Sequence, residues 1–330
     1  MKEFVFLALR TLKYLGFFLV VLILIGIVYE QYCRWNLEAK VFKNKTFAEI
    51  NGASIHYQKK GNGNKTVVLV SGMGSNSTIW AEVQDKISAQ AVTISYDRSG
   101  LFLSGRRKEV ITNESVSSEL EELLEKTKCP KPYLLVVHSM AGIYVRLFIA
   151  RHKKDIAGII FMESAHPLQL KKSSKAFLEA LKPPPLWFVR LLTATGIYRT
   201  LFFFKQLNPE IPVTHPIHQN ERDFFYRSVE TLFSEIKSDE VNFDEATRYG
   251  DFENIPLTII SGSSEIRTKT LKNDQLKGEY MSLVKVLHRD FLNLSSRSKL
   301  VVAKQSGHIV QASEPDLIVH QIRELLQSEK

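Results

Sequence analysis

Cysteine is nearly absent from this chain, and its two cysteines lie far apart. Cys33 and Cys129 form no CxxC motif and have no Cys/His spacing typical of metal ligands. The sequence therefore argues against a disulfide scaffold and a structural metal site, and we expect two unpaired thiols.

Repeats and long basic runs are also missing. Without heptads, collagen-like triplets or solenoid periods, fibrous and repeat architectures are excluded. The 44 Lys and Arg exceed the 35 Asp and Glu, giving a formal net charge of +9. That excess is spread thinly, without the interleaved aromatic and basic residues of nucleic-acid-binding surfaces, so we expect no nucleic-acid partner. The 330 residues, 44% of them apolar, have the composition of a folded protein with one large domain or two ordinary ones.

The longest uncharged segment lies near the N-terminus. Tyr14–Tyr29 separates Lys13 from Glu30, and as a helix it would be about 24 Å long, against a bilayer core of roughly 30 Å. Lys13 can extend towards the headgroups, and the tyrosines at both ends suit the interface. Residues 26–36 contain no small-residue cleavage site, so we expect an uncleaved membrane anchor rather than a signal peptide.

Basic residues flank both ends of this segment, so their number does not decide its orientation. The innermost charges are Lys13 on one side and Glu30 on the other. This arrangement favours a cytoplasmic N-terminus, with the rest of the chain outside the cytoplasm.

From Phe47 onward, short β-branched runs alternate with helical stretches. This alternation predicts an α/β protein with a mostly parallel, doubly wound sheet. The predicted strands are Ser54–Gln58, Thr66–Val70, Ala91–Tyr96, Tyr133–Val137, Ile156–Met162, Ile255–Ser261 and Leu300–Ala303, and the clearest helices are Glu114–Lys126, Met140–His152 and Pro315–Leu326. Functional residues of such sheets follow the carboxyl ends of the strands.

Residues 166–251 interrupt the alternation. They contain apolar helical runs without a strong strand pattern, and Arg190, Gly196 and Arg199 interrupt these runs too often for a second membrane span. We expect a helical cap inserted into the core. The predicted divisions are 1–45, anchor and linker; 46–165, first part of the core; 166–251, cap; and 252–330, second part of the core.

The cap has several large apolar side chains, which favour an apolar substrate. Candidates for an acyl pocket are Trp187, Phe188, Leu191, Leu192 and Phe202 to Phe204. Two other interpretations stay open: these side chains form the cap's own core, or the stretch Pro185–Phe204 touches the bilayer.

A serine stands where an apolar strand runs directly into a helix, in Leu134-Leu-Val-Val-His-Ser139-Met-Ala-Gly-Ile-Tyr144. Such a sharp turn needs small residues after the serine, and the helix N-terminus places free N–H groups beside the hydroxyl. The segment resembles the nucleophile elbow G-x-S-x-G of the α/β-hydrolase fold superfamily. Val137 and Ala141 replace the two glycines, and Gly142 follows one position later.

Two further segments resemble the same superfamily. The strand and turn Val67-Val-Leu-Val-Ser-Gly72-Met-Gly74 matches the segment that forms part of the oxyanion hole, which implies that the backbone N–H groups of Met73 and Met140 hold the oxyanion. Ser95-Tyr-Asp97-Arg98-Ser-Gly-Leu-Phe102-Leu-Ser resembles its Y-D-R-x-G-x-G-x-S turn, with Phe102 in place of the second glycine. We expect Asp97 and Arg98 to brace this loop.

Ser306-Gly307-His308-Ile-Val-Gln311 resembles the S-G-H-x-x-Q segment that carries the superfamily's catalytic histidine, which implies that His308 is the general base. Two acids follow core strands and compete for the third position. Glu265 stands at the commoner position in the superfamily, whereas Phe161-Met162-Glu163 resembles the haloalkane dehalogenases. We favour Glu163 and keep Glu265 as the alternative.

The resemblance implies a serine hydrolase that cleaves an ester or related acyl substrate through a Ser-His-acid triad, without a metal or organic cofactor. A serine nucleophile argues against dehalogenase and epoxide hydrolase chemistry. Two alternatives stay open. The departures at Val137 and Phe102 favour a membrane-tethered binding or signalling protein without activity. Acyl transfer or C–C hydrolysis would use the same residues.

Overall fold

The computed structural model describes residues 2–107, 110–204 and 208–328, and its centre is an eight-stranded sheet. The strands are β1 (Thr46–Ile50), β2 (Ala53–Lys60), β3 (Thr66–Val70), β4 (Val92–Tyr96), β5 (Tyr133–His138), β6 (Ile156–Met162), β7 (Leu257–Gly262) and β8 (Ser298–Ala303). Their order across the sheet is β1-β2-β4-β3-β5-β6-β7-β8. β2 pairs antiparallel with β1 and β4, and all other pairs are parallel.

Helices cover both faces of this sheet, and further helices form the N-terminal segment and the insertion between β6 and β7. They are α1 (Lys2–Val41), α2 (Ala81–Ile87), α3 (Asn113–Lys126), α4 (Ala141–His152), α5 (Gln169–Lys172), α6 (Lys175–Ala180), α7 (Leu186–Ala194), α8 (Ile197–Phe204), α9 (Ile217–Lys237), α10 (Asp239–Ala246), α11 (Asp274–Asp290), α12 (Val310–Ser313) and α13 (Pro315–Gln327). The α/β class and the mostly parallel sheet are confirmed. The strand β1 was not predicted, because it lies at the edge and only Ile50 in it is fully buried.

The core lies on both sides of the sheet because alternate side chains of a strand point to opposite faces. In β3, Val68 and Val70 pack on the side that α3 and α4 cover, whereas Val67 and Leu69 pack with Trp80 on the other. Both faces are therefore apolar, which explains the continuous apolar runs of the central strands.

The segment between β6 and β7 folds into the helices α5 to α10, without a strand among its described residues. Its longest helix, α9, lies over the loops that follow β3 and β4. Asn220 donates to the Thr78 hydroxyl at 2.6 Å, Ser228 accepts from the Phe102 N–H at 2.8 Å, and Glu235 accepts from the Gly74 N–H at 3.0 Å. The cap is thus hydrogen-bonded to the loops at the carboxyl ends of the strands.

The N-terminal helix α1 is much longer than the expected anchor. It contains 40 residues and continues past the uncharged segment to Val41. It continues because neither glycine nor proline lies between Gly26 and Val41. The first part of α1 is apolar and exposed, and it is long and apolar enough to cross a membrane. The last part packs against α7, α8 and α9, so the expected linker before residue 45 is largely helix.

Candidate active site

Ser139 lies in a tight turn between β5 and α4. Its φ is +54°, a left-handed conformation that costs a non-glycine residue on the order of 1–3 kcal/mol. The turn is fixed by backbone hydrogen bonds, because the Ser139 N–H donates to the Met162 carbonyl at 3.2 Å and the Ser139 carbonyl accepts from Gly142 and Ala165 at 2.9 Å. This is the elbow geometry that the sequence predicted.

The departures from the expected glycine pattern are accommodated. Val137 is fully buried and packs in the core with Ala141. Gly142 is the position that requires glycine, since a Cβ there would lie 2.6 Å from the Ser164 Cβ. Phe102 adopts a φ of +45°, so it takes the left-handed conformation for which glycine is usual.

The structure brings Ser139, His308 and Glu163 together. The His308 Nε2 lies 2.9 Å from the Ser139 Oγ, and the Nδ1 lies 3.4 Å from the Glu163 Oε2. Glu163 follows β6 and is buried. Glu265, the alternative acid, is exposed in a turn after β7 and makes no ion pair with His308 in the part of the chain that the structure describes.

The carboxylate of Glu163 is held by several polar groups. It forms an ion pair with Arg267, accepts from the Gly262 N–H at 2.6 Å, and lies 3.8 Å from the His288 Nδ1. Burial alone would raise the pKa of Glu163, but the hydrogen bond from His308 and the nearby charges of His288 and Arg267 lower it to about 2. Glu163 is therefore ionised at neutral pH.

His138 directly precedes Ser139 and contacts His308. This contact was not predicted from the sequence, although a histidine beside the candidate nucleophile could have suggested one. The His138 Nε2 lies 2.9 Å from the His308 carbonyl, and the two rings are 4.8 Å apart. Burial, together with the charge of His308, lowers the pKa of His138 to about 3. It is thus neutral and donates its Nε2–H to that carbonyl.

The loop after β3 lies directly beside the serine. A Cβ on Gly72 would come within 2.9 Å of the Ser139 Cβ. The N–H groups of Met73 and Met140 have no hydrogen-bond acceptor among the described residues, so they are free to bind an oxyanion. Arg98 holds the loop from behind, because it donates to the Gly72 carbonyl at 2.9 Å and pairs with Glu235 at 2.6 Å.

The loop that carries His308 is held by the cap. Glu210 accepts hydrogen bonds from the backbone N–H groups of His308 and Ile309, the latter at 3.0 Å. Arg267 donates to the Gly307 carbonyl at 2.9 Å. The sequence did not predict these contacts of Glu210 and Arg267, because their partners lie 98 and 40 residues further along the chain.

The residues expected to line an acyl pocket lie on α7 and α8. Trp187, Phe188 and Leu191 are exposed on α7, where the rings of Trp187 and Phe188 contact each other at 5.7 Å. Phe202 packs against Tyr198, and the side chains of Phe203 and Phe204 lie outside the described residues. α7 packs against α9, and Arg190 of α7 pairs with Glu230 of α9 at 2.6 Å.

Apolar side chains at the site come from other elements. Met73 and Met140 pack in one cluster with Tyr144, Phe243 and Leu170, which come from α4, α10 and α5. No group of three His, Cys, Asp or Glu within the described ranges is placed to hold a metal ion.

The family model described as "Alpha/beta hydrolase family" matches residues 67–321. This chain belongs to that family. A relative in Bacillus subtilis (strain 168), the uncharacterized protein YqjL, is 24% identical over 275 residues, which cover 83% of this chain and 88% of YqjL. An "AB hydrolase superfamily protein" of Gibberella zeae is 24% identical and covers 78% of this chain and 85% of its own length.

Solved structures share the fold of this α/β-hydrolase. A thermophilic esterase from Thermogutta terrifontis superposes with a TM-score of 0.58 at 16% identity, covering 86% of this chain and 98% of the esterase. A bromoperoxidase from Bacillus anthracis gives a TM-score of 0.62 at 20% identity, over 86% of this chain and all of its own. At these identities the likeness shows the fold alone.

Proposed function

We propose that this α/β-hydrolase is a membrane-anchored serine hydrolase that cleaves an ester or related acyl substrate with an apolar acyl part. The observation that carries the proposal is the contact of the His308 Nε2 with the Ser139 Oγ at 2.9 Å, with Glu163 on the other ring nitrogen. A nucleophile, a base and an orienting acid in this order are what acyl transfer to serine requires.

In the proposed reaction, the His308 Nε2 takes the proton of the Ser139 hydroxyl while the Oγ attacks the acyl carbon. The N–H groups of Met73 and Met140 stabilise the oxyanion, a contribution of about 3 kcal/mol for each such donor. The imidazolium then protonates the leaving alcohol, and the ester bond breaks to give an acyl-enzyme. A water molecule activated by His308 releases the acid and regenerates Ser139.

The environment of Glu163 supports its part in this scheme. Because the pKa of its carboxyl is about 2, the group stays negatively charged and favours the imidazolium form of His308 during the reaction. Its hydrogen bond also keeps a proton on the Nδ1, which leaves the Nε2 free to accept one.

Two observations support an acyl substrate with an apolar part. The side chains of Met73 and Met140 lie in an apolar cluster beside the oxyanion hole, and the solved structures with this fold include esterases from Thermogutta terrifontis and Exiguobacterium antarcticum. A haloalkane dehalogenase has the same fold, but the serine at position 139 does not favour halide displacement. The inactive binding protein is not favoured, because Val137 and Phe102 fit the turns they occupy.

The contacts of α1 support an anchor that is retained in the mature protein. Arg199 of the cap pairs with Glu30 at 2.7 Å and with Asp223 at 2.7 Å, and all three side chains are buried. Cleavage close to Glu30, as at the end of a signal peptide, would disrupt the part of α1 that places this carboxylate and would leave the buried Arg199 without its Glu30 partner. We place the N-terminus in the cytoplasm, because Lys13 and Glu30 are the innermost charges of the span, and the catalytic body outside.

The activity is tested with the full chain in detergent micelles and p-nitrophenyl esters of increasing acyl length. We expect hydrolysis whose kcat/KM rises from acetyl to medium-chain esters, since longer chains bury more apolar surface. His308→Ala should abolish it, and the exposed His320→Ala should not. A folded wild-type chain that hydrolyses none of these esters would contradict the proposal.

Glu210 is expected to act as a positioning residue for His308. In Glu210→Ala the two backbone N–H groups lose their acceptor, and the loop that carries the base loosens. We expect kcat to fall on the order of 10²-fold, with KM little changed, because a misplacement of about 1 Å has this effect. Glu179→Ala is the matched control, since Glu179 is an exposed cap carboxylate that pairs with Lys182. Equal kcat values for both variants would show that the cap does not position the base.

A further inference from the structure

The cap is joined to α1 by a close and polar contact. The turn between α7 and α8 lies against α1. If Gly196 in this turn carried a Cβ, that atom would lie 3.2 Å from the Gly26 carbonyl oxygen and 3.3 Å from the Glu30 Cβ. A Cβ on Gly26 would collide with the Thr195 carbonyl oxygen. Glycine at both positions allows the two backbones to approach closely.

Side chains that follow the uncharged segment along α1 also hold α1 against the cap. Arg34 of α1 donates to the Thr193 carbonyl at 2.6 Å and pairs with Glu30. Further along α1, Glu38 accepts from the Tyr226 hydroxyl at 2.6 Å and pairs with Arg227 at 3.0 Å. The cap and α1 are therefore held in one orientation rather than joined by a flexible linker.

The position of this contact along α1 sets the level of the cap relative to the proposed span. Gly26 lies within the uncharged segment Tyr14–Tyr29, four residues before Glu30, or about 6 Å along the helix. The turn between α7 and α8 thus meets α1 inside the last turns of the uncharged segment. A bilayer that covers this segment reaches the level of that turn.

The two helices that meet at this turn expose large apolar side chains. These are Trp187, Phe188 and Leu191 of α7, with Ile197 and Leu201 of α8. We call them the cap ridge. Trp187 is the most exposed of the five, at 66%. Because α7 and α8 pack against each other, these exposed apolar side chains lie on adjoining helices, and large exposed apolar areas mark interaction surfaces.

From this geometry we infer that the cap ridge lies in the bilayer interface, so that the membrane is its partner. The inference rests on the proposed anchor, since it is α1 that brings the ridge to this level. Tryptophan, phenylalanine and leucine are the side chains expected for interfacial contact. The consequence is that the enzyme is held at the membrane by two adjoining surfaces, where apolar acyl substrates accumulate.

The ridge is connected to the candidate active site through α9. This helix packs against α7 and α8 and also carries Glu235, which accepts from the Gly74 N–H beside the oxyanion hole. The orientation that α1 imposes on the cap therefore also fixes the site relative to the membrane.

The test uses quenching of tryptophan fluorescence by brominated phosphatidylcholine, with the full chain in vesicles. Trp35→Phe removes the exposed tryptophan of α1, and Trp80 is fully buried, so the emission that responds belongs to Trp187. We expect a loss of this emission in brominated vesicles relative to unbrominated ones, because an interfacial tryptophan lies beside the lipid chains. Leu191→Trp and Ile197→Trp, each in a Trp35→Phe and Trp187→Phe background, should be quenched as well.

The matched control is Val302→Trp in the same background. Val302 is 48% exposed on β8, at the sheet edge opposite β1, and we expect no quenching there. Two results together would overturn the inference: tryptophan emission at positions 187, 191 and 197 is equal in both lipids, and the chain remains in the vesicles after an alkaline carbonate wash. A chain that the wash removes would instead overturn the anchor, and this inference with it.

Discussion

Replacing Ser139 by alanine is expected to lower kcat for ester hydrolysis by about 10⁶-fold, as removal of the nucleophile does in serine hydrolases of known mechanism. The alanine lacks the Oγ that forms the acyl-enzyme, so His308 has no hydroxyl to deprotonate. The small side chain fits the left-handed turn as well as serine does, so the fold and KM should change little. The measurement is hydrolysis of the preferred p-nitrophenyl ester under saturating conditions.

Ser118→Ala is the control for this change, because Ser118 lies on α3 and its hydroxyl donates to Glu114 of the same helix. It should retain wild-type activity. If Ser139→Ala kept more than about one hundredth of the wild-type kcat, a nucleophile other than Ser139 would have to be sought.

The second large effect distinguishes the two acids that the sequence left open. Glu163→Gln should lower kcat by about 10⁴-fold, because the amide no longer favours the correct tautomer and the imidazolium form of His308. Glu265→Gln should stay within about twofold, since that side chain is exposed and makes no ion pair with His308. The reverse order of effects would show that Glu265 completes the triad.

Loss of the Glu163 charge is also expected to lower the free energy of unfolding. This effect on stability has to be distinguished from the effect on kcat. Arg267 is buried against this carboxylate, and an unpaired buried charge costs about 3–5 kcal/mol. The double variant Glu163→Gln with Arg267→Met should recover most of the stability, measured by urea unfolding, without recovering kcat. Because the pKa of Glu163 falls from 4.5 to about 2, its stabilising charge is complete above pH 4.5 and is lost as the pH falls towards 2.

The sheet and the elbow were predictable because their signals are local. Strands β3 and β6 are continuous apolar runs that match their predicted bounds, since both of their faces are buried. The order of the motifs along the chain, with a serine and a histidine after separate strands, followed from the rule that such residues meet at the carboxyl ends of a parallel sheet. β1 has no such run, because an edge strand needs only one buried face.

The choice between the two acids could not be made from local signals. Glu163 and Glu265 both follow a core strand, and either could have pointed at His308. The structure distinguishes them by the turn after β6, where Glu163 takes a φ of +49° and directs its carboxylate into the buried network of Arg267 and His288.

The contacts between α1 and the cap depend on positions far apart in the chain. Arg199 looked like a polar interruption of an apolar run, and its partner Glu30 lies 169 residues away. Glu210 and His308 are 98 residues apart. Likewise, the apolar run of α7 gave no indication of which of its side chains would be exposed, as Trp187, Phe188 and Leu191 are.

The central claim, that Ser139 is an activated nucleophile, is tested most directly by labelling the full chain with a fluorophosphonate and mapping the modified peptide by mass spectrometry. We predict one adduct, on Ser139, whose formation is abolished in His308→Ala and unchanged in His320→Ala. A folded wild-type chain that forms no adduct, or one that carries the adduct on another residue, would contradict this claim.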